Sequence, residues 1–540
     1  MYTYVKNDTS LTFSDVPPDM LLYYDYEMVQ KVNCSLYFSA LGRADFSVSS
    51  SFLNRQKILF NNAQTCLGIS GFNLNKTQVA ILGNMTCTLN SSYIQNSDPL
   101  IIEKLKNCGD LTDFQVSGIQ TLLFSGNTNY GNLSTWNLQT LQQLGPLPLY
   151  LNQDFWNKFN FTEKKIFLPS FMSALRAKNT PVTKLQSLFT ASKQNFRRRR
   201  DTGCTAGYIT DTTIADQSFI LNYTSTQFDL CLNITVLINN LAAITQIVLD
   251  PSMEMVILNK LNQVYLSGLG DSVLQLLGPT SRVANVSEIK SWNITSLDTL
   301  ASLMNPVNGA WTSDQSNAVI MNYLRVPGHT LGLAEINAIM SDICSLNTSA
   351  LNNITAENLR YANPIDLSNC TIDQKTALYN IANISFSSLH SNATEFFLLI
   401  RSFLGGAPLS DIINLAPQNI SMDITTFINL NPDVVKYLSV NTVRDLLGVN
   451  LPILKMFESS TLVRFWEAQQ YQSDLDILGI GLIGGKQNPT TSSPTNSTTT
   501  QTILSTTNST AGYATVHQDA GPWCLSLFVG LLTVTLHAVL

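Results

Sequence analysis

Two segments of this chain share one pattern, "TWNLQTLQQLGPL" (Thr135–Leu147) and "SWNITSLDTLASL" (Ser291–Leu303). Each opens with a Trp-Asn pair and then places leucine or isoleucine at three-residue intervals. Apolar residues at this spacing lie on one broad face of a helix. A module that recurs in one chain is typical of a solenoid of stacked helices, although two unrelated amphipathic helices could share the same stripe. We favour repeats and therefore predict an all-α solenoid of short helices.

The rest of the chain supports this fold class. Apolar residues recur at three- and four-residue spacing, as in Phe427, Leu430, Val434 and Leu438, and alternating strand-like runs are few and short. Several segments also carry a helix-start signal, because a Ser or Thr suitable for an N-cap precedes an acidic residue. Examples are "NFTEKK", "NVSEIK", "NITAENL", "NATEFFLL" and "NISMDI", and Thr371 with Gln374 predicts a capping box.

The same segments contain Asn-x-Ser/Thr acceptors for N-glycans, of which the chain has nineteen. The chain has 540 residues, and only 13% of them are charged, about half the usual share. Sugars would supply the missing polarity of the surface, while chance and helix capping can also generate acceptors. We expect glycans at Asn75, Asn84, Asn132, Asn160, Asn222, Asn233, Asn285, Asn293, Asn353, Asn383, Asn392 and Asn419; the other acceptors are Asn7, Asn33, Asn90, Asn347, Asn369, Asn496 and Asn508.

Charge argues against nucleic acid as a partner. The formal net charge is −6 and the pI is about 5.3, whereas phosphate-binding surfaces are basic. Outside one run of arginines, Lys and Arg form no stripe with interleaved aromatic residues.

The nine cysteines predict disulfides rather than a metal site. None forms Cys-x-x-Cys, and with four histidines the usual zinc spacings are absent. Leaving Cys524 aside, four cysteines precede the arginine run and four follow it, so each half can close its own bonds. Local pairs are the economical choice for Cys204–Cys231 and Cys344–Cys370, while the pairing among Cys34, Cys66, Cys87 and Cys108 stays open.

The arginine run lies in "NFRRRRDTGC" (Asn195–Cys204) and predicts proteolytic processing. Proprotein convertases of the secretory route require Arg at the fourth and first positions before the cut bond, helped by a basic second position. Arg197, Arg200 and Arg199 occupy these positions, so cleavage would fall before Asp201. A nuclear address or a nucleic-acid groove fits an acidic, disulfide-bonded chain poorly.

The end of the chain predicts a lipid anchor. Residues 486–514 are rich in Ser, Thr and Pro, which predicts a disordered, extended stalk. Residues 515–540 are a polar spacer followed by an uncharged apolar tail. A small-residue site, a spacer and an apolar tail together make a glycosylphosphatidylinositol (GPI) signal, with Ser509 and Gly512 as attachment candidates. The alternative is a tail-anchored helix, but no basic residue follows the tail.

The start of the chain lacks an apolar segment of the signal-peptide kind. Since the remaining features predict secretion, we expect a signal segment to precede the residues given.

Catalytic motifs are absent from the sequence. "GIGLIG" (Gly479–Gly484) matches the dinucleotide pattern by letter, but an acidic segment precedes it and the stalk follows, whereas the motif needs a strand before it and a helix after it. Neither Gly-x-Ser-x-Gly nor His-Glu-x-x-His occurs. We therefore predict a protein that is not an enzyme and binds no cofactor.

Three further segments resemble the mesothelin family, which includes otoancorin and stereocilin. They are "FLLIRSFLGGAPLSDIINLAPQNISMDITTFINL" (Phe397–Leu430), "IKSWNITSLDTLASL" (Ile289–Leu303) and "SDLDILGIGLIGG" (Ser473–Gly485). The resemblance covers about residues 201–485, and the family's two local cysteine pairs match those expected above. Residues 1–200 resemble the family's releasable precursor fragment only in general layout.

The resemblance implies a right-handed helical superhelix, of the armadillo or HEAT kind, over 201–485. It implies a GPI-anchored protein at the outer face of the plasma membrane and adhesion through a mucin-type glycoprotein, with a secreted fragment 1–200. The family's mucin-binding region corresponds to about Asp201–Leu266, and Tyr223 occupies the position of a contributing aromatic residue, although a glycan on Asn222 could mask it. As an alternative, the released fragment acts as a soluble signalling factor; a surface hydrolase is a weaker third reading.

Overall fold

The structure is a computed structural model that describes residues 12–26, 29, 33–48, 55–193 and 203–487. The predicted cleavage residues Arg197, Arg199, Arg200 and Asp201 lie outside the described residues. So do Ser509 and Gly512, residues 488–540 of the predicted stalk, spacer and tail, and the acceptors Asn7, Asn496 and Asn508.

The described residues form short helices and no strand, which confirms the all-α prediction. The α-helices are α1 (Pro18–Leu21), α2 (Cys34–Leu41), α3 (Arg55–Leu67), α4 (Lys76–Leu82), α5 (Ser91–Asn96), α6 (Leu100–Leu105), α7 (Asp113–Phe124), α8 (Leu138–Gln143), α9 (Gln153–Trp156), α10 (Phe161–Ala177), α11 (Val182–Ser192), α12 (Asp211–Ala215), α13 (Ser225–Cys231), α14 (Ile234–Asn239), α15 (Leu241–Ile247), α16 (Pro251–Val264), α17 (Asp271–Leu274), α18 (Val286–Lys290), α19 (Leu297–Met304), α20 (Ser313–Leu324), α21 (Leu333–Ile339), α22 (Thr348–Leu351), α23 (Ala356–Tyr361), α24 (Ile372–Ser385), α25 (Ala393–Ile400), α26 (Leu409–Leu415), α27 (Ile424–Ile428), α28 (Pro432–Val435), α29 (Val440–Leu447), α30 (Thr461–Glu467) and α31 (Gln472–Asp476).

Turns of 3₁₀-helix separate many of these elements. They cover Phe46–Val48, Gly83–Thr88, Leu133–Thr135, Leu147–Leu149, Phe219–Asn222, Gly278–Val283, Pro306–Asn308, Met340–Ser345, Ser387–Leu389, Arg401–Gly406, Ala416–Gln418 and Gly448–Phe457. Isolated parallel bridges join Ile209 to Leu232, Gly270 to Asn293 and Tyr471 to Lys486.

The helices stack in the manner of a solenoid. Along much of the chain a helix packs against the next helix but one: α2 on α4, α5 on α7, α9 on α11, and α18 to α24 in overlapping pairs. The described residues between 12 and 487 belong to one compact unit, and their buried apolar side chains form one continuous core. Side chains on the two sides of the predicted division at residue 200 contact one another, and the division itself stays a prediction.

The two similar segments, Thr135–Leu147 and Ser291–Leu303, bury equivalent residues, although their helices begin at different positions. Trp136 and Trp292 are both buried. In the first segment α8 begins at Leu138, one residue after Asn137, and Gly145, with φ of 60°, interrupts the helical stretch. In the second, α19 begins only at Leu297. The expectation of one continuous helical face is thus wrong for both segments. Gly145-Pro146 follows the end of the helix in the first, and Trp292 and Ile294 precede α19 in the second, although the apolar positions remain in or against the core.

Asparagine caps more helices than the sequence suggested. Thr371 and Gln374 form the expected capping box, and Thr355 caps α23 as expected. At α10, α18 and α25, however, the cap is the acceptor asparagine itself, because each helix starts directly after it; these residues are Asn160, Asn285 and Asn392. At α27 the cap is Asp423 rather than Ser421. Asn and Asp accept the orphan backbone N–H groups at least as well as Ser or Thr.

Three capping boxes also connect neighbouring repeats. In each box Thr caps the helix, and the Oε1 of the Gln three residues later accepts a hydrogen bond from the backbone N–H of that Thr. The Nε2 of the same Gln donates to two carbonyl oxygens at the end of a 3₁₀-helix 26 to 33 residues earlier. We name this arrangement the Gln bracket. The brackets are Thr112/Gln115 on Cys87 and Leu89, Thr312/Gln315 on Arg282 and Ala284, and Thr371/Gln374 on Cys344 and Leu346.

Four disulfides join cysteines that are close in sequence. Cys204–Cys231 and Cys344–Cys370 agree with the expected local pairs. The open pairing in the first half is Cys34–Cys66 and Cys87–Cys108. No disulfide among the described residues crosses the predicted cleavage site, so each half closes its own bonds.

Candidate functional site

The first described residues after the arginine run are fixed to the helices that follow. Cys204 is bonded to Cys231 at the end of α13. Gln227 of α13 accepts hydrogen bonds from the backbone N–H groups of Thr205 (2.9 Å) and Ala206 (3.2 Å), and its Nε2 donates to the Gly203 carbonyl at 2.9 Å. These contacts hold the segment to the helices that follow it.

Tyr223, a buried residue, also holds this segment in place. Only 2% of Tyr223 is exposed, and its hydroxyl donates to the Gly207 carbonyl at 2.9 Å. Its ring meets Phe219 edge-on with 6.1 Å between ring centroids, and burial raises its pKa. The resemblance assigns Tyr223 to partner binding, which stays a prediction; in the structure its ring is buried and its hydroxyl holds residue 207 in place. Asn222 beside it is half-buried.

Sequence reasoning missed an exposed aromatic residue in the same region. Tyr208 is 75% exposed and follows Gly207, whose φ of 92° turns the chain. Exposed aromatic side chains are preferred contact residues at protein interfaces. The position after a glycine in the polar segment "TAGYIT" is the signal that could have identified it. The other large apolar side chains exposed between residues 203 and 266 are Leu230, Ile238, Met255, Val264 and Leu266.

The glycan acceptors lie mostly on the surface. Of the twelve expected sites, nine are exposed, whereas Asn84, Asn222 and Asn383 are half-buried. Capping does not compete with a sugar, because the cap uses Oδ1, as at Asn160 and Asn285, and the sugar is attached to Nδ2. Whether each site carries a glycan stays a prediction.

A buried carboxyl group lies where residues from the two sides of the predicted cleavage site contact each other. Glu254 of α16 is fully buried, and Gln186 of α11 donates to its two oxygens at 3.3 and 3.4 Å. Burial raises the pKa of Glu254 to about 7, and the neighbouring charge of Asp250 adds to this rise, while the Gln186 hydrogen bond opposes it. A second buried carboxyl, that of Glu467, lies against Gly484 of the "GIGLIG" segment. Those glycines therefore allow close packing and turns at Gly479 and Gly481, both with positive φ.

Two further properties bear on chemistry. Within the described residues, no group of three or more His, Cys, Asp or Glu side chains is placed to hold a metal ion. In the same residues, every helix is too short or too polar to span a membrane.

The fold and its bonds define a class: a disulfide-stabilised helical-repeat protein, of the kind made in an oxidising compartment. The model of the mesothelin family matches residues 6–511. A mesothelin-like protein of Mus musculus is 33% identical over 472 residues, which are 86% of this chain and 68% of that protein. Mesothelin of Mus musculus is 30% identical over 481 residues, 88% and 75% of the two chains, and a human mesothelin-like protein is 29% identical over 500 residues, 86% and 68%.

The chain therefore belongs to the mesothelin family, as the resemblance indicated. The match extends the resemblance into the first half, since it begins at residue 6.

Proposed function

We propose that this chain is a non-enzymatic cell-surface glycoprotein that mediates adhesion through a mucin-type glycoprotein partner. A proprotein convertase cuts it after Arg200, and a GPI lipid at Ser509 or Gly512 holds the second piece on the membrane. The partner contacts residues 203–266, with the exposed Tyr208 at the centre of the contact.

The observation that carries this proposal is that residues 203–210 are attached to the helices that follow them. Their disulfide, Gln227 and Tyr223 would keep the new end of the chain in place once the bond before Asp201 is cut. Membership of the mesothelin family, over a match that includes the arginine run and most of the predicted stalk, supports the same reading.

Processing is tested by expressing the full chain, behind a signal segment, in secreting cells. Wild type should run as two pieces on reducing blots, and Arg200→Ala should leave one uncut chain. Lys178→Ala, at an exposed residue outside the recognised positions, serves as the control and should still be cut. If Arg200→Ala gives the same two fragments as wild type, the proposed cleavage site is wrong.

The anchor is tested on the same cells with a phosphatidylinositol-specific phospholipase, which should release the second piece into the medium. Retention after treatment would favour a spanning tail instead.

Adhesion is tested with cells that carry the processed chain on surfaces coated with a membrane mucin, before and after enzymatic removal of the mucin's glycans. Attachment above that of untransfected cells is expected. Equal attachment of both cell lines would refute the adhesion function.

A further inference from the structure

Two helices before the predicted cut contact helices that follow it in the sequence. On one side lie α10 and α11; on the other lie the 3₁₀-helix Phe219–Asn222, α15 and α16. We call the contact between these two groups the junction surface. Its side chains surround a small apolar cavity, lined from the first side by Leu168, Met172 and Phe189 and from the second by Ile220, Leu221 and Ile247.

Polar contacts surround this apolar centre. Lys193 forms an ion pair with Asp250 at 2.6 Å, and both side chains are largely buried. Arg176 donates through Nη2 to the carbonyl of Gln246 at 2.6 Å. Lys165 and Asp216 form a more exposed pair at 3.4 Å. Together with Gln186 on Glu254, these contacts join the two sides through their side chains rather than through the connecting chain.

Cutting the bond after Arg200 would leave all of these contacts intact. No disulfide crosses the site in the described residues, so within this part of the chain non-covalent contacts would link the pieces. Separation would expose the apolar side chains at the end of each solenoid half, which costs free energy in proportion to the area exposed. It would also break the Lys193–Asp250 ion pair, which is largely buried while the two sides are joined.

We propose that the junction surface holds the two pieces together after cleavage, so that the N-terminal piece leaves the C-terminal piece in a separate, later step. The binding partner of this surface on α15 and α16 is thus the segment 161–193 of the same chain. The inference rests on the proposed cleavage, because without a cut there are no pieces to hold.

The test uses the purified full chain with a site-specific protease sequence replacing Arg197–Arg200. After complete cutting, shown on non-reducing denaturing gels, native size-exclusion chromatography at pH 6 should give one peak that contains both pieces. A dilution series then gives the dissociation constant. Elution of wild type as two separate peaks at micromolar concentration would overturn the proposal.

Charge variants locate the contact. Lys193→Glu and Arg176→Ala should each weaken retention at least tenfold, whereas Lys436→Glu should not, since it breaks the ion pair with Asp433 on α28, far from the junction. Thermal unfolding of each uncut variant checks that it folds. Retention equal to wild type in both junction variants would assign the contact elsewhere and overturn the proposal. If the native arginines are never cut in cells, the proposed processing fails, and this measurement still decides whether the surface binds.

Discussion

Lys193 and Asp250 form an ion pair of 2.6 Å although they are 57 positions apart in the sequence, with the predicted cleavage site between them. Asp250 also caps α16, since its Oδ1 accepts the backbone N–H of Ser252 at 2.9 Å. One carboxylate therefore orients α16 and binds the last helix before the arginines. This double use links the two halves at a place that no disulfide of the described residues crosses.

The junction should weaken as the pH rises, because of Glu254. Its pKa is raised to about 7 by burial, and separation of the pieces would expose it to water and return it towards its ordinary value. The stabilisation is thus fully present below the ordinary pKa and is lost as the pH rises through about 7. For the cut chain we expect a dissociation constant roughly 20-fold larger at pH 7.4 than at pH 5.5. Glu254→Gln should flatten this profile, and an unchanged profile in that variant would assign the dependence to another group.

The other charged groups around α16 titrate outside this range or are paired. At Asp250, burial is outweighed by Lys193 and Ser252, which hold its pKa below the ordinary 3.8. Burial lowers the pKa of Arg282, in the neighbouring 3₁₀-helix, to about 10, with Asp342 opposing. Lys260 of α16 is paired with Asp229 of α13 at 2.9 Å, and α14 and α15 carry no ionisable side chain. Glu254 is therefore the group expected to titrate between pH 5.5 and 8.

Two tyrosines should respond differently to mutation. Tyr208→Ala should reduce binding to the mucin-type partner with no change in melting temperature, because the side chain is exposed. Tyr223→Phe should lose about 1 kcal/mol of stability with the hydrogen bond to Gly207 and should bind almost normally. Tyr437→Ala, exposed on another part of the solenoid, is the control. If Tyr223→Phe abolishes binding while its melting temperature is unchanged, the direct role implied by the resemblance is correct and the assignment to Tyr208 is not.

The sugar and the helix cap at Asn285 can be separated. Ser287→Ala should remove the glycan and keep the cap, and Asn285→Asp should do the same, because aspartate also caps helices. Asn285→Ala should lose both and cost about 1 kcal/mol more than Ser287→Ala in urea unfolding. Mass shifts after glycosidase treatment report the sugar. Equal stability of the two alanine variants would contradict the cap at α18.

The Gln bracket at Gln374 should contribute more than a helix cap. Gln374→Ala leaves the Cys344 and Leu346 carbonyls without their donor and should cost about 2 kcal/mol. Gln374→Glu can still accept from Thr371 but cannot donate, so it should also destabilise. The exposed Gln142→Ala is the control. Urea unfolding measures the stability of all three variants. If Gln374→Glu is as stable as wild type, only the capping box contributes and the two donated hydrogen bonds do not.

Much of the fold could be predicted because its signals are local. The spacing of leucines after Trp136 and Trp292 and the capping box at Thr371 depend on neighbours along the chain, and both were recognised. Capping by Asn160 and Asn285 was missed because either the Asn or the Ser/Thr of an acceptor can serve as the cap, and only the position of the first helical turn decides between them.

The sequence by itself determined the all-α class, because helix periodicity is a property of adjacent residues. The mesothelin family was indicated by the resemblance of three segments, and local pairing of the cysteines in the second half was the economical choice. Only the tertiary structure decided that Tyr223 is buried while Tyr208 is exposed, and that Lys193 meets Asp250 and Gln186 meets Glu254. These contacts join residues 57 to 68 positions apart. These contacts depend on which helical faces meet when the repeats stack, and local sequence patterns do not predict which faces those are.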